Sequence, residues 1–364
     1  GRNGPNLFSN SVVALDLNSG QYKWHFQEIV NDLHNLDLAS PPVLFYMDGK
    51  DLVAQATKSG QLIILNRKNG NPIFEFKEKK YSGSSLGEST FTIYKLFPDW
   101  LQFSRRYFRE NDINKLDNQF YSEASKIISE SEISDYFPLS KDKNHIFYGL
   151  HGGAQWPGIA ITDDMLAIIP SSDIAWIGRL TNSKDYNFTI YLNDIFQSIK
   201  KLISKFNKEN LKKLFLTFKN YKKIFNIDIY KYQRFATKNN IPLNEPPWGK
   251  LTAIDIKNKK IKWQIKHGNY KDLENIETGA EIFGSPVVTK GGVVFLAGTD
   301  DKKIRAYSLE NGDKIWEDDL PYSSYGIIQI LEYNDEKLLI VNSSGGRNFQ
   351  SIKGDAVVAY KIKN

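Results

Sequence analysis

One segment recurs along the chain with a fixed internal spacing, and that recurrence limits the possible folds more than any other feature. It reads Ala-x-Asp, then Gly four residues after the Asp, then Trp four after the Gly: Ala14-Leu15-Asp16, Gly20, Trp24. The register returns at Leu65-Asn66, Gly70 and Phe74, at Ile254-Asp255, Lys259 and Trp263, and at Tyr307-Ser308, Gly312 and Trp316. Aliphatic, β-branched runs precede each copy and another short strand pattern follows. This is the pattern of a hairpin: an alternating strand, a tight turn needing positive φ, and a returning strand that carries the ring. A large ring at one place per repeat packs between neighbouring sheets, so Trp24, Trp263 and Trp316 are expected in equivalent buried positions. Repeats of this size bury their faces by stacking. The expectation is an all-β propeller rather than a sandwich, with antiparallel blades over 12–76 and 247–362.

Upstream hairpins fit the same plan. The run 52–56 returns through Lys58-Ser59-Gly60 into 61–66, and 293–297 returns through Thr299-Asp300-Asp301 into 303–308. Two long segments interrupt the repeats. Residues 77–145 hold helical patches, 112–129 for instance, and few strand runs. Residues 181–244 carry Leu192, Ile195, Phe196, Ile199, Leu202, Ile203 and Phe206 at helical spacing, with Leu211, Leu214, Phe215 and Phe218 repeating it. Lysines fill the opposite face, which predicts basic amphipathic helices over 192–225. Such helices form either a cap with a solvated lysine face or a surface for a membrane or partner. Removing both insertions leaves roughly 220 residues, or about five blades at about 45 residues each.

The 364-residue chain carries a net charge of +6, much of it between Lys200 and Lys231. Nucleic-acid readers interleave basic residues and exposed aromatics over a face. Here the aromatics fall at strand positions, so no nucleic-acid partner is expected. No run approaches the ~18 apolar residues of a membrane span. With no cysteine in the chain, disulfides, thiolate zinc, a catalytic Cys and covalent c-type haem are excluded. The sequence starts at Gly1 without an initiator Met or a leader pattern, which reads as a processed or excerpted chain.

With these repeats the sequence resembles the pyrroloquinoline-quinone (PQQ) dehydrogenases, near their membrane glucose dehydrogenase branch. The stretches that carry the likeness are 6–16, 31–42, Ala56-Thr57-Lys58-Ser59-Gly60, His151-Gly152-Gly153-Ala154-Gln155-Trp156, Pro246-Pro247-Trp248-Gly249 and 283–316. The resemblance implies an eight-bladed propeller, of which residues 1–364 hold a part, with PQQ and Ca²⁺ on its axis. A sugar or alcohol hydroxyl is oxidised there, electrons pass to a quinone or cytochrome, and the protein faces the periplasm. It also implies that Lys58 contacts the ortho-quinone, an ammonium suiting a polyanionic cofactor that gains electron density on reduction. Gln155 and Trp156 fall where the family lines the cofactor cavity, although packing alone is an equal reading for Trp156.

The catalytic position departs from the family pattern, His-Asp-x-Trp-Asp-x-Asp. Here it reads Asn31-Asp32-Leu33-His34-Asn35-Leu36-Asp37. Asn35 stands where the resemblance places a base that also touches the metal. An amide offers its carbonyl to Ca²⁺ but takes no proton at neutral pH. Asp37, two residues on and on the same face of an extended segment, is the alternative base or metal ligand. The remaining metal ligands and the Trp that stacks on the quinone are expected upstream of Gly1. Two functions stay open from sequence: a PQQ dehydrogenase fragment acting on a sugar, polyol or alcohol, and a propeller without chemistry that serves as a binding or assembly scaffold.

Overall fold

A computed structural model describes residues 4–82, 91–133, 135, 139–182, 228–273, 276–334, 336–346 and 352–362. The described chain forms sheets that succeed one another in sequence, as blades do, antiparallel throughout save for one parallel pair, Ser131–Ile133 beside Asn144–Tyr148. The first blade pairs Ser11–Leu15 with Tyr22–Gln27. The second runs Val43–Met47, Lys50–Ala56, Leu62–Asn66, with Ile73 continuing it through a 2.9 Å bond from its N–H to the Ile64 carbonyl. The third is Ala160–Ile161, Leu166–Ser172, Gly249–Asp255, Lys260–Lys266. The fourth is Val287–Val288, Val293–Leu296, Lys303–Ser308, Lys314–Asp319. The fifth is Gln329–Tyr333, Glu336–Gly345, Lys353–Ile362.

The repeated motif has a physical account. Ala14, Ala253 and Ala306 lie directly opposite Trp24, Trp263 and Trp316, so a small residue faces each ring across the strands. One residue later the register shifts in all three, a β-bulge that turns the strand into its tight turn. The polar residue of the motif then caps the turn: Asp16 accepts from the Ser19 N–H at 3.0 Å, Asn66 from Lys68 at 2.9 Å and Asp255 from Asn258 at 2.9 Å.

The Gly and the Trp of successive blades meet. The Trp24 indole donates to the Arg67 carbonyl and the Trp263 indole to the Leu309 carbonyl, both at 3.0 Å and both into the next blade's turn. A Cβ on Gly70 would lie 2.5 Å from the Trp24 ring, and one on Gly312 would lie 2.9 Å from the Trp263 ring. The two departures from the motif fall at one interface: Lys259, in the Gly position, puts its ammonium 5.7 Å from the centre of Phe74, in the Trp position. A cation on a ring face there takes the place of a glycine against an indole. Trp24 and Trp263 are 9% and 8% exposed. Trp316 is a correction: it is 37% exposed and meets Phe295 and Tyr360 edge-on rather than a following turn.

The interruptions build two further sheets. The described residues of 77–145 include one α-helix, Asn118–Ser129, capped by Asp117. They are otherwise more strand than helix. Lys77–Ser82 and Phe91–Leu96 pair as a hairpin on which Ile29–Val30 adds a third strand. The alternation in Phe91–Leu96 is short and interrupted by Lys95, which hides it from a reading by periodicity. Within the third blade, between Ser172 and Gly249, Ala175–Asn182 pairs with Asp228–Arg234. Asn144–Tyr148 and Ser131–Ile133 complete that sheet. The helices expected over 192–225 lie outside the described residues. Among the described residues no helix is long and apolar enough to cross a membrane.

Candidate cofactor site

Antiparallel order fixes which loops share an end. Connections between second and third strands of a blade emerge together with those that run to the next blade. The segments 31–42, 57–61, 149–158, 267–273 and 276–285 all belong to this end, and the first three converge on Lys58.

The first is a loop shaped by Asp32, whose carboxylate accepts from the N–H groups of His34 and Leu36 at 2.8 and 2.6 Å. Asn31 and Asn35 both take left-handed backbone angles, φ 57° and 58°, a conformation Asn tolerates better than most residues. Leu36 is buried and its carbonyl accepts from Asn10 at 2.8 Å. The second is the hairpin tip 57–61, closed by the Thr57 N–H on the Gln61 carbonyl at 3.1 Å. The third is the glycine-rich segment 149–158. Gly149 and Gly153 press against the Lys58 carbonyl, leaving no room for a Cβ, and the Ala154 N–H bonds the Thr57 carbonyl at 3.1 Å.

Lys58 is 5% exposed, and its ammonium donates to the Asp37 carboxylate and, at 3.3 Å, to the Asn35 carbonyl. Asn35 thus contributes its backbone to the lysine, while its side chain faces solvent. The Asp37 carboxylate is half-exposed. Of the residues singled out from sequence, the structure brings Lys58, Asp37 and Asn35 together. Gln155 is buried but its amide donates to the Gly152 carbonyl of its own turn at 3.1 Å, and Trp156 is 67% exposed. His34, which stands at the family's Trp position, is buried edge-on against Phe147 with ring centres 5.2 Å apart.

Two groups escaped the sequence reading. Glu28, fully buried between Tyr22–Gln27 and Ile29–Val30, accepts from Ser59 and, at 2.6 Å, from the Gln61 amide. Burial pushes its carboxyl up to about 7 against the pull of these donors and of Arg106. Its only sequence signal is an acid set among apolar strand residues. The second group is Arg234, Glu281, His151 and Trp176. Arg234 pairs with Glu281 and lies 5.5 Å from the Trp176 ring, which His151 meets at 4.7 Å. Apart from His151, which opens a matched stretch, these residues come from separate segments and have no local signature.

A PQQ-type cofactor fits the chemistry of Lys58. The ammonium has three N–H groups, and two are accounted for by Asp37 and Asn35 among the described residues. The third remains for an anionic oxygen. Among the described residues no group of three or more His, Asp or Glu is placed to hold a metal ion.

A repeat propeller that gathers a buried lysine among the loops at one end is the architecture of a quinoprotein. Residues 1–337 match the family described as PQQ: glucose/ethanol/alcohol dehydrogenase, β-propeller domain, and the chain belongs to it. It is similar to the probable quinate dehydrogenase (quinone) of Xanthomonas campestris pv. juglandis, with 28% identity over 98% of this chain and 45% of that protein. Against the quinate/shikimate dehydrogenase (quinone) of Acinetobacter baylyi it is 27% identical over 98% of this chain and 44% of the relative. The chain therefore spans about half the length of the curated relatives it matches. Among solved structures, the quinohemoprotein alcohol dehydrogenase of Comamonas testosteroni shares the fold. Its TM-score is 0.56 at 17% identity, over 98% of this chain and 42% of that one. The quinoproteins of this family use PQQ together with a metal ion, and one solved neighbour is a europium-containing methanol dehydrogenase.

Proposed function

We propose that this chain is the lysine-bearing part of an eight-bladed PQQ dehydrogenase that oxidises a secondary hydroxyl of a cyclic polyol and passes electrons to an external quinone. The observation that carries this is Lys58, a buried ammonium held at the convergence of three loops, with two acceptors for its three N–H groups among the described residues. The curated relatives cited above are named as dehydrogenases of quinate or shikimate with quinone as acceptor. That favours a ring polyol over an acyclic alcohol, and an enzyme over a scaffold. The same family likeness favours a periplasm-facing location.

The chemistry a bound PQQ supplies is two-electron oxidation at its ortho-quinone. Lys58 binds and orients that end of the cofactor by charge-assisted hydrogen bonding. Asp37 is the proton acceptor for the substrate hydroxyl, since it is the carboxylate that the structure sets beside Lys58 and it is open to solvent. Asn35 holds Lys58 through its carbonyl and takes no proton.

The test is PQQ-dependent dye reduction by the full-length protein over quinate, shikimate, glucose and simple alcohols. Asp37→Asn should lower kcat by about 10²–10⁴-fold, the usual contribution of a general base, while PQQ still binds. Wild-type kcat in that variant would remove Asp37 from the base role. Absence of PQQ binding to the wild-type protein would sink the reading as a whole.

A further inference from the structure

Ser59 and Gln61 flank Lys58 on its hairpin tip, and both aim their side chains at one buried carboxylate. Ser59 donates to Glu28 Oε1 through its hydroxyl, and Gln61 donates to the same oxygen at 2.6 Å. Thr57, on the other side of the tip, bonds the Ser59 hydroxyl at 2.8 Å. The Gln61 amide also reaches the Lys95 carbonyl at 2.8 Å, and its oxygen accepts from the Phe97 N–H and from Arg106, both at 3.1 Å. Glu28 is itself pinned by its backbone, its N–H on the Asn10 carbonyl at 2.9 Å and its carbonyl taking the Lys95 N–H at 3.2 Å. One carboxyl therefore joins the first blade, the tip of the second blade that carries Lys58, and the first excursion.

We infer that Glu28 is a positioning residue for Lys58: by holding Ser59 and Gln61 it fixes the tip from which the ammonium reaches the cofactor, and its charge state sets cofactor affinity. The inference rests on the PQQ reading above. The contacts to Glu28 are neutral donors. The charged groups facing it are Arg106, which reaches Gln61, and Lys95, whose ammonium donates to the Gln27 carbonyl at 2.6 Å. Neither makes an ion pair with it among the described residues. Burial raises the carboxyl to about 7, so it changes charge within the physiological range. Once ionised, it sets a negative charge in low dielectric behind a site for a polyanion, which weakens binding. Neutral, it still accepts from Ser59 and Gln61 and the tip keeps its shape.

The experiment titrates PQQ into the full-length wild-type protein, Glu28→Gln and Glu28→Ala at pH 6 and pH 8, following tryptophan fluorescence. Hydrogen exchange of residues 57–61 is measured on the same three proteins without cofactor. The expected result is a loss of about tenfold in wild-type affinity between pH 6 and pH 8, on the order of one charge acting across the protein interior. Glu28→Gln, which copies the neutral form, should bind at both pH values as wild type does at pH 6. Glu28→Ala should bind weakly at both and exchange faster at 57–61, with the Gln variant restoring protection. A Gln variant that loses affinity with pH as wild type does would overturn the inference, as would an Ala variant that binds and exchanges like wild type. If none of the three binds PQQ while exchange still separates Ala from Gln, the cofactor reading fails and the hold of Glu28 on the tip stands. No binding and no separation would remove both.

Discussion

Glu28 and Lys58 are both buried ionisable groups, Glu28 bonded to the residue that follows Lys58 in the chain, and the protein treats their charges in opposite ways. Lys58 has a carboxylate on its ammonium, whereas Glu28 has only hydroxyl and amide donors in contact. The consequence for stability follows from linkage. Glu28 titrates near 7 in the folded chain against 4.5 as its ordinary value. Its raised value makes the folded state bind the proton more tightly than the unfolded one. The stability this provides is full below about pH 4.5 and is lost as pH rises towards 7, a change on the order of 3 kcal/mol. Glu28→Gln is therefore expected to melt like wild type near pH 5 and at a higher temperature at pH 8. Calorimetric scans at both pH values check it, and equal melting points at pH 8 would count against a neutral buried Glu28. At this scale the sequence disclosed Lys58, because it sits in a matched pentapeptide. Asn35 was visible as a departure, but not that its backbone would hold the lysine. Glu28 was invisible because its partners lie 31 and 33 residues away in the chain.

The hairpin element shows why one register can be read from sequence and its burial cannot. Spacing alone identifies the turn, its polar cap and its ring, all within eleven residues. Whether the ring is covered depends on the next blade's turn, which is a separate element. Gly70 and Gly312 combine a left-handed turn with contact to the preceding blade's indole, while Gly20 meets no indole among the described residues. A Cβ at Gly20 would meet nothing within 4 Å, yet its φ of 68° is as left-handed as the 74° of Gly70. Gly20→Ala should therefore cost about 1 kcal/mol, the backbone penalty by itself. Gly70→Ala should cost about 1–3 kcal/mol more, since the Trp24 ring must move and its bond to the Arg67 carbonyl stretch. Denaturant unfolding of both variants measures the gap, and equal losses would show that the indole contact adds nothing. Trp316 obeys the register and remains exposed, which marks the limit of the pattern. The Phe74–Lys259 pair shows the converse: two departures, unremarkable alone, become one contact when the blades meet.

Across the whole molecule the blades and excursions are tied together by a carboxylate that no local pattern announces. Asp173 is fully buried where the third blade gives way to the extra sheet, and the Lys250 ammonium lies 2.7 Å from it. Ser104 and the Arg105 N–H, from the first excursion, both donate to its other oxygen, the latter at 3.0 Å. Arg105 carries the link onward to the carbonyls of Glu245 and Pro246, beside the Trp248 whose indole bonds the Asn244 carbonyl at 2.7 Å. Burial opposes the charge on Asp173, but Lys250 and Arg105 prevail and hold its carboxyl below the ordinary carboxylate range. A depressed value means the stability it provides is present above the unfolded carboxyl's titration and is lost as pH falls through the folded one. Asp173→Asn leaves Lys250 buried without its counterion and should cost about 3–5 kcal/mol at neutral pH. That deficit should shrink in acid, where the wild-type carboxyl is protonated as well. Replacing both partners with apolar residues, Asp173→Leu with Lys250→Met, should cost less than the single change, because no uncompensated charge remains. Urea unfolding at pH 7 and pH 3 measures all three proteins. A single variant within 1 kcal/mol of wild type at pH 7 would show that blades and excursions hold together without this pair.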